Sequence, residues 1–323
     1  MTGRLIGIAA ALAIALTACT PAAQPSPSAP TGPAPSGSPS SPATPSTPVE
    51  TATPEPSSHP FTFETLPRFD GSTANIPLIS LVIQRLTGVS AAEADNAVNV
   101  TTTPNAYRAL IAGETDLLLV YEANSTVKQE VEESGVALES HPIGRDALVF
   151  FTNDSNPVTS LTTGQLRDIY TGKVTNWKQV GGKDVEIVAY QRTEESGSQA
   201  LMRKYVMGDR KMAKAPSELI TDDMGGIIEG VSDYANTGNA LGYSVYYYLA
   251  NMYAVEGIRM LGIGGVMPSH ETIASGDYPF VNDFFVIIRA DEPAGSPARQ
   301  VMEWLLSPAG AQTVADAGYG PAA

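Results

Sequence analysis

The chain has 323 residues and a formal net charge of -15, so it exceeds one average domain of roughly 100–200 residues, and its acidity argues against nucleic acid as a partner. Its single cysteine, Cys19, excludes an intramolecular disulfide and a thiolate metal cluster. His59, His141 and His270 lack the spacing of metal ligands, so we expect neither a metal nor a cofactor.

The N-terminus has the pattern of an exported protein. Arg4 precedes an apolar run over residues 5–16, which is long enough for a secretory signal and short for a membrane span. The run ends in Leu16-Thr17-Ala18-Cys19, which resembles a bacterial lipoprotein cleavage box. We therefore expect residues 1–18 to be a lipoprotein signal peptide and Cys19 to carry lipid. The alternative is a plain signal peptide with a cysteine nearby by chance.

A segment rich in Pro, Ser and Thr follows the cysteine. Residues 20–60 hold 13 of the 25 prolines of the chain. Such a composition buries too little apolar surface to offset the entropy of ordering, which predicts a disordered or polyproline-like segment. We expect residues 19–60 to be a tether that holds a folded part away from a membrane.

From residue 61 onward, helix-like and strand-like runs alternate, which is the pattern of an α/β protein. Thr87-Gly88 gives the first predicted helix a clear stop signal. Helices are predicted over residues 76–86, 106–111, 161–170, 199–206 and 298–306. Strands are predicted over residues 116–121, 147–151, 185–190 and 284–288.

A turn of small residues begins the helix predicted over residues 199–206. Arg192 lies just before Ser196-Gly197-Ser198. A helix start exposes unpaired backbone N–H groups and a partial positive charge, so it suits an anion. Arginine adds donors that match two oxygens of an oxyanion. Alternatively, one serine is an ordinary N-cap and Arg192 pairs with Glu194 or Glu195.

Two more helix starts have the same character. Ser72 and Thr73 follow Gly71 and precede the helix predicted at residue 76. Thr102 and Thr103 precede another helix, which Pro104 is suited to begin. Three such starts on different segments favour an oxyanion site formed where helix ends converge.

Six sequence blocks follow one another towards the C-terminus. They are NPVTSLT at 156–162, IYTGKVTNW at 169–177, Gly181-Gly182, Arg192 with the Ser196-Gly197-Ser198 turn, ALGYS at 240–244 and LLSPAG at 305–310. Together these blocks resemble the phosphate-binding proteins of bacterial phosphate ABC transporters, in matching order from residue 61 to the C-terminus. The resemblance implies an α/β, two-lobed periplasmic-binding-protein-like (type II) fold with a ligand cleft between the lobes. We expect lobe 1 to comprise residues 61–148 plus 280–323, and lobe 2 residues 149–279.

The resemblance also implies site residues. Ser72 and Thr73 match the first hydroxyl contact, Thr102 or Thr103 the second, and Arg192, Ser196, Gly197 and Ser198 the arginine and its turn. The family's carboxylate that accepts the proton of hydrogen phosphate is assigned to Glu122, and whether Glu122 or Tyr121 lines the cleft at this strand end is left open. Glu194 and Glu195 are expected to repel a dianion unless they point away or pair with Arg192. Trp177 is expected to pack rather than bind.

By this resemblance, the expected function is the capture of phosphate and its delivery to an ABC permease by an extracytoplasmic, lipid-anchored monomer. Hinge closure is expected where strands cross, near residues 148–152 and 279–287. The alternative is a binding protein or sensor for tungstate, molybdate or sulfate. An enzyme is a further alternative, because Ser125 and Lys128 form an S-x-x-K pattern, but K-T-G and S-D-N companions are missing from the sequence.

Overall fold

The computed structural model describes residues 60–221, 224–233, 238–253 and 255–322, which all belong to the compact unit Glu55–Ala323. The predictions for the signal peptide, for Cys19 and for the tether up to residue 59 lie outside the described residues. Among the described helices, none has the length and apolarity that crossing a bilayer requires.

Strands and helices alternate along the described residues. The strands are β1 (Phe69–Gly71), β2 (Leu117–Tyr121), β3 (Leu138–Asn153), β4 (Ser160–Leu161), β5 (Val188–Ala189), β6 (Gln191–Arg192), β7 (Ile220–Thr221), β8 (Ala240–Val245), β9 (Ile258–Ile263) and β10 (Val281–Arg289). The α-helices are α1 (Ile76–Thr87), α2 (Ala91–Ala97), α3 (Thr103–Ala112), α4 (Ser125–Ser134), α5 (Thr163–Tyr170), α6 (Gly197–Met202), α7 (Met224–Asp233), α8 (His270–Ser275), α9 (Pro297–Leu305) and α10 (Pro308–Asp316).

The main sheet has the order β1-β2-β10-β3-β8-β5, with β9 also paired to β3 and β4. The long strand β3 joins the two parts of this sheet: β1, β2 and β10 lie on one part, and β8, β5, β9 and β4 lie on the other. Up to Ala147, β3 pairs antiparallel with β10; from Leu148, it pairs with β8, and from Phe150 also with β9. The change of partner at Ala147 and Leu148 lies beside the crossing predicted near residues 148–152. The predicted lobe boundaries remain a prediction.

Helices cover both faces of β2, which explains its unbroken apolar sequence. Leu117, Leu119 and Tyr121 belong to the core cluster that also contains the buried side chains of α1. Leu118 and Val120 belong to a second cluster with buried side chains of α3. Successive strand residues therefore face opposite helices, and Tyr121 lies on the α1 face.

Local sequence signals predicted some helix and strand boundaries correctly and others incorrectly. Helix α1 ends at Gly88, whose φ of 73° is the left-handed geometry that glycine tolerates, as predicted. Helix α3 begins three residues earlier than predicted, with Pro104 in its first turn. Helix α5 begins later than predicted, because Leu161 pairs with β9 and Thr162 caps the helix. The strand predicted over residues 185–190 is wrong in length, since only Val188–Ala189 is strand.

The packing prediction for Trp177 is confirmed. Trp177 is fully buried, and its indole N–H donates to the Asn239 carbonyl at 2.8 Å.

Candidate ligand-binding site

A small cavity brings together residues from both parts of the main sheet. Its volume is about 30 Å³, which is room for a small ion. The lining residues are Ser72, Thr73, Thr102, Thr103, Tyr121, Arg192, Glu195, Ser196, Gly197, Ser198 and Val245. Eight of the nine residues predicted to bind ligand therefore lie at one place, and Glu122 is the exception.

Ser72 and Thr73 enter the cavity at the end of β1. Gly71 is needed there because a Cβ at this position would lie 2.4 Å from the Leu119 carbonyl oxygen of β2. Ser72 is the N-cap of a 3-10 turn that leads into α1, yet in the described part of the chain its hydroxyl makes no capping hydrogen bond. The Ser72 hydroxyl therefore does not cap the start of the helix.

Thr102 and Thr103 lie at the start of α3. The Thr102 hydroxyl accepts a long hydrogen bond of 3.5 Å from the Asn105 N–H. Thr103 is buried, and its Oγ1 finds no hydrogen-bond partner among the described residues. A buried hydroxyl without a partner costs about 1–3 kcal/mol, and an oxyanion in the cavity would supply the missing acceptor.

The Ser196-Gly197-Ser198 turn and Arg192, which belong to the predicted second lobe, form the opposite wall of the cavity. Ser196 is the N-cap of α6, but no capping bond of its side chain is seen in the described ranges; its Oγ lies 2.9 Å from Ser198 Oγ instead. The Arg192 guanidinium donates to Ser198 Oγ at 3.4 Å and to the Thr221 carbonyl at 3.1 Å. This geometry places a buried cation directly at a helix start.

The starts of α3 and α6 approach each other closely at Gly197. A Cβ built on this residue would lie 3.3 Å from Thr103 Oγ1 and 4.0 Å from the Tyr121 ring. The absence of a side chain at Gly197 therefore keeps the cavity open between the start of α3 and the start of α6.

The adjacent glutamates are neutralised by arginines. Glu194 pairs with Arg203 at 2.5 Å and accepts from Gln199 at 3.0 Å. Glu195 pairs with Arg108 at 2.8 Å. Burial acts to raise the pKa of Glu194, but the hydrogen bonds from Arg203 and Gln199 outweigh it and hold that pKa below its usual value. The expected repulsion of an anion is thus offset by positive charge next to each carboxylate.

The structure does not bring Glu122 to the cavity, which corrects its assignment as the proton acceptor. Its carboxylate pairs with Lys128 and Lys204, each at 2.5 Å. These two lysines overcome the effect of burial and lower the pKa of Glu122. The physical reason is strand alternation: Tyr121 faces the cavity, so the next side chain points to the opposite side.

Tyr121 lines the cavity through its ring, and its hydroxyl donates to Asp146 at 2.6 Å. Asp146 also accepts from the backbone N–H groups of Ala147 and Tyr247. Burial raises the pKa of Asp146 to about 6 despite these hydrogen bonds. Sequence reasoning missed Asp146 and Arg108, because each acts through a partner distant in the chain, Tyr121 in one case and Glu195 in the other.

The fold and the cavity together define a two-lobed α/β protein in which hydroxyl groups and a buried arginine converge on one cavity. Residues 47–309 match the family model described as "PBP superfamily domain". The chain therefore belongs to the PBP superfamily.

Curated relatives share part of the sequence. The phosphate-binding protein PstS of Bacillus subtilis is 32% identical over 159 residues, which cover 48% of this chain and 49% of that protein. The phosphate-binding protein PstS of Borreliella burgdorferi is 25% identical over 208 residues, covering 62% of this chain and 71% of the relative. The chain thus spans about half the length of the Bacillus relative that it matches.

A solved structure supports the fold. An ABC-type phosphate transport receptor from Vibrio cholerae superposes with a TM-score of 0.58 at 20% identity, covering 78% of this chain and 98% of that one. An identity this low supports the architecture and not the ligand.

Proposed function

We propose that this chain captures inorganic phosphate between its two lobes and delivers it to an ABC permease, without covalent chemistry. The observation that carries this proposal is the convergence of eight predicted residues, from segments far apart in the sequence, on one cavity. The names of the two PstS relatives support phosphate as the ligand.

The chemistry of the cavity suits a tetrahedral oxyanion. Ser72, Thr73, Thr103, Ser196 and Ser198 supply hydroxyl donors. Arg192 adds a charge-assisted donor, and such hydrogen bonds are roughly twice as strong as neutral ones. The first backbone N–H groups of α6 lack partners within the helix, and the starts of α3 and α6 both add a partial positive charge. An anion that enters the cavity would exchange its water shell for these donors.

Capture requires the cavity to open, since residues from both lobes surround it. Strand β3 changes partner at Ala147 and Leu148, and the Phe280 carbonyl beside β10 accepts from Leu148 N–H at 3.0 Å. A few residues at these crossing strands are enough for a hinge. In this proposal, residues 61–148 with 280–323 move against residues 149–279, and the closed form is what the permease recognises.

We extend the proposal to the location of the protein. Removal of residues 1–18 and lipidation of Cys19 would anchor a monomer to the outer face of the bacterial cell membrane, with residues 19–60 as a tether. A Cys19→Ser variant should then leave the membrane fraction and appear in the soluble extracytoplasmic fraction. Unchanged membrane association of this variant would contradict lipid anchoring at Cys19.

Isothermal titration with phosphate, arsenate, sulfate and molybdate tests the choice of ligand. Because Glu122 lies outside the cavity, discrimination between protonated and unprotonated oxyanions cannot rest on its carboxylate. We expect phosphate and its isostere arsenate to bind more tightly than sulfate and molybdate. No response to phosphate at millimolar concentration would contradict the proposal, and tighter binding of sulfate or molybdate would reassign the ligand.

A further inference from the structure

Two ion pairs join the predicted lobes, one of them through Glu195 at the edge of the cavity. Arg108 of α3 pairs with Glu195 at 2.8 Å. Glu122, which follows β2, pairs with Lys204 at 2.5 Å. In each pair, one residue belongs to residues 61–148 and the other to residues 149–279, so both pairs break when the lobes separate.

Arg108 is held in place by its own lobe. Its guanidinium donates to the two Glu130 carboxylate oxygens at 2.7 and 3.0 Å, and to Asn105 Oδ1 at 3.1 Å. Hydrogen bonds to Glu130 and Glu195 raise the pKa of Arg108. The guanidinium is therefore a fixed cation, since its orientation does not depend on Glu195.

The Arg108–Glu195 pair connects the same two elements that form the cavity. Helix α3 carries the buried Thr103 hydroxyl at its start and Arg108 further along. Glu195 immediately precedes Ser196, which begins the turn on the opposite wall. Closing the ion pair therefore brings the Ser196 turn over Thr103.

Glu194 provides the contrast within the same turn. Its carboxylate pairs with Arg203 and Gln199, which both belong to its own lobe. The two carboxylates thus have different surroundings: the partners of the Glu194 carboxylate lie on one side of the cleft, whereas the partner of the Glu195 carboxylate lies across it. The Glu194 backbone carbonyl accepts from Asn124 across the cleft at 3.2 Å, a contact that a side-chain substitution leaves in place.

We propose that Arg108, Glu122, Glu195 and Lys204 form a charged clasp, a set of positioning residues that holds the lobes closed and thereby increases the affinity for the oxyanion. This inference rests on the proposed function, because affinity is its readout. Side chains of the clasp are 35–56% exposed, and exposed ion pairs contribute little each. The clasp therefore releases readily and weakens as salt rises.

The direction in which one substitution changes phosphate affinity tests the clasp. If Glu195 only repelled the anion, Glu195→Gln would tighten phosphate binding. The clasp instead predicts a loss of about threefold in affinity, as expected for an exposed pair. Glu194→Gln is the matched control, since its ion pair stays within one lobe, and its effect should stay below about twofold. Tighter binding by Glu195→Gln, or equal losses in both variants, would overturn the clasp.

A double-mutant cycle measures the coupling across the cleft. Arg108→Gln should weaken binding by about tenfold, because it also leaves the Glu195 charge beside the anion. The double variant Arg108→Gln/Glu195→Gln should lose only about threefold, so the two effects are not additive. Additive losses would contradict a direct pair.

A ligand-independent measurement separates failure of the clasp from failure of the proposed function. Spin labels at Glu133→Cys and Lys211→Cys, in the full chain with Cys19→Ser, report the distance between the lobes. Without phosphate, Arg108→Gln/Lys204→Gln should shift this distance distribution to longer values than in the otherwise unchanged chain. Identical distributions would overturn the clasp, whereas failure of the unsubstituted chain to bind phosphate would overturn only the ligand proposal.

Discussion

Replacing Thr103 by valine should change affinity and stability in different directions. The Thr103 hydroxyl is buried and finds no partner among the described residues, so it contributes no hydrogen bond to the ligand-free fold. In the complex, it would donate to a charged oxygen, and such bonds contribute about 1.5–3 kcal/mol. Thr103→Val should therefore weaken phosphate binding by about 10- to 150-fold.

The stability of the ligand-free protein should not fall with this change. Removing an unsatisfied buried hydroxyl while keeping its shape is close to neutral or raises the free energy of unfolding by up to about 3 kcal/mol. Urea unfolding in phosphate-free buffer measures this free energy, and calorimetric titration measures affinity. An unchanged affinity together with a clear loss of stability would refute the role given to Thr103.

Thr313 is the matched control for this experiment. It is also fully buried, but its hydroxyl donates to the Ala309 carbonyl at 2.8 Å. Thr313→Val should therefore lower the free energy of unfolding by about 0.5–1.5 kcal/mol, because this hydrogen bond is lost. Phosphate affinity should stay unchanged, since Thr313 lies on α10, away from the cavity and from the predicted hinge. Thr103→Val thus weakens binding without lowering stability, whereas Thr313→Val lowers stability without weakening binding.

Further predictions concern Gly197 and Asp146. Gly197→Ala places a methyl group 3.3 Å from Thr103 Oγ1, in a cavity of about 30 Å³. Calorimetric titration should therefore show phosphate binding that is at least about tenfold weaker, and the melting temperature should change little. Because burial raises the pKa of Asp146 to about 6 from 3.8, its contribution to stability is present below pH 4 and is lost as the pH rises through about 6. Urea unfolding should show the free energy of unfolding of Asp146→Asn rising relative to the parent by about 2 kcal/mol between pH 4 and 7. A constant difference would show that Asp146 is ionised throughout this range in the folded protein.

Sequence reasoning was strongest where a short segment determines its own geometry. Gly88 ends α1 in the left-handed conformation, and Pro104 lies in the first turn of α3, where its missing N–H costs nothing. The Ser196-Gly197-Ser198 turn also begins a helix as predicted. These features depend on neighbours within a few residues, so they are readable from the sequence.

The predictions failed where the position of a residue depends on the direction of its side chain or on a partner distant in the sequence. Glu122 and Tyr121 differ by one position at a strand end, and alternation sends them to opposite sides. The partner of Glu195 is Arg108, 87 residues away, and no local pattern in the sequence indicates this pair. The length of β3 depends on pairing with both β10 and β8, and those partners lie far along the chain.

The most direct test of the central claim is calorimetric titration of phosphate into the parent chain and into Arg192→Ala. Arg192 is buried and donates to Ser198 Oγ in the cavity. The account predicts that the parent binds phosphate with one site, and that Arg192→Ala weakens binding by at least about tenfold with an unchanged circular dichroism spectrum. Arg210→Ala, at an exposed arginine of the same lobe, should bind like the parent. Equal affinity of the parent and Arg192→Ala would contradict the account, because the cavity would then not be the phosphate site.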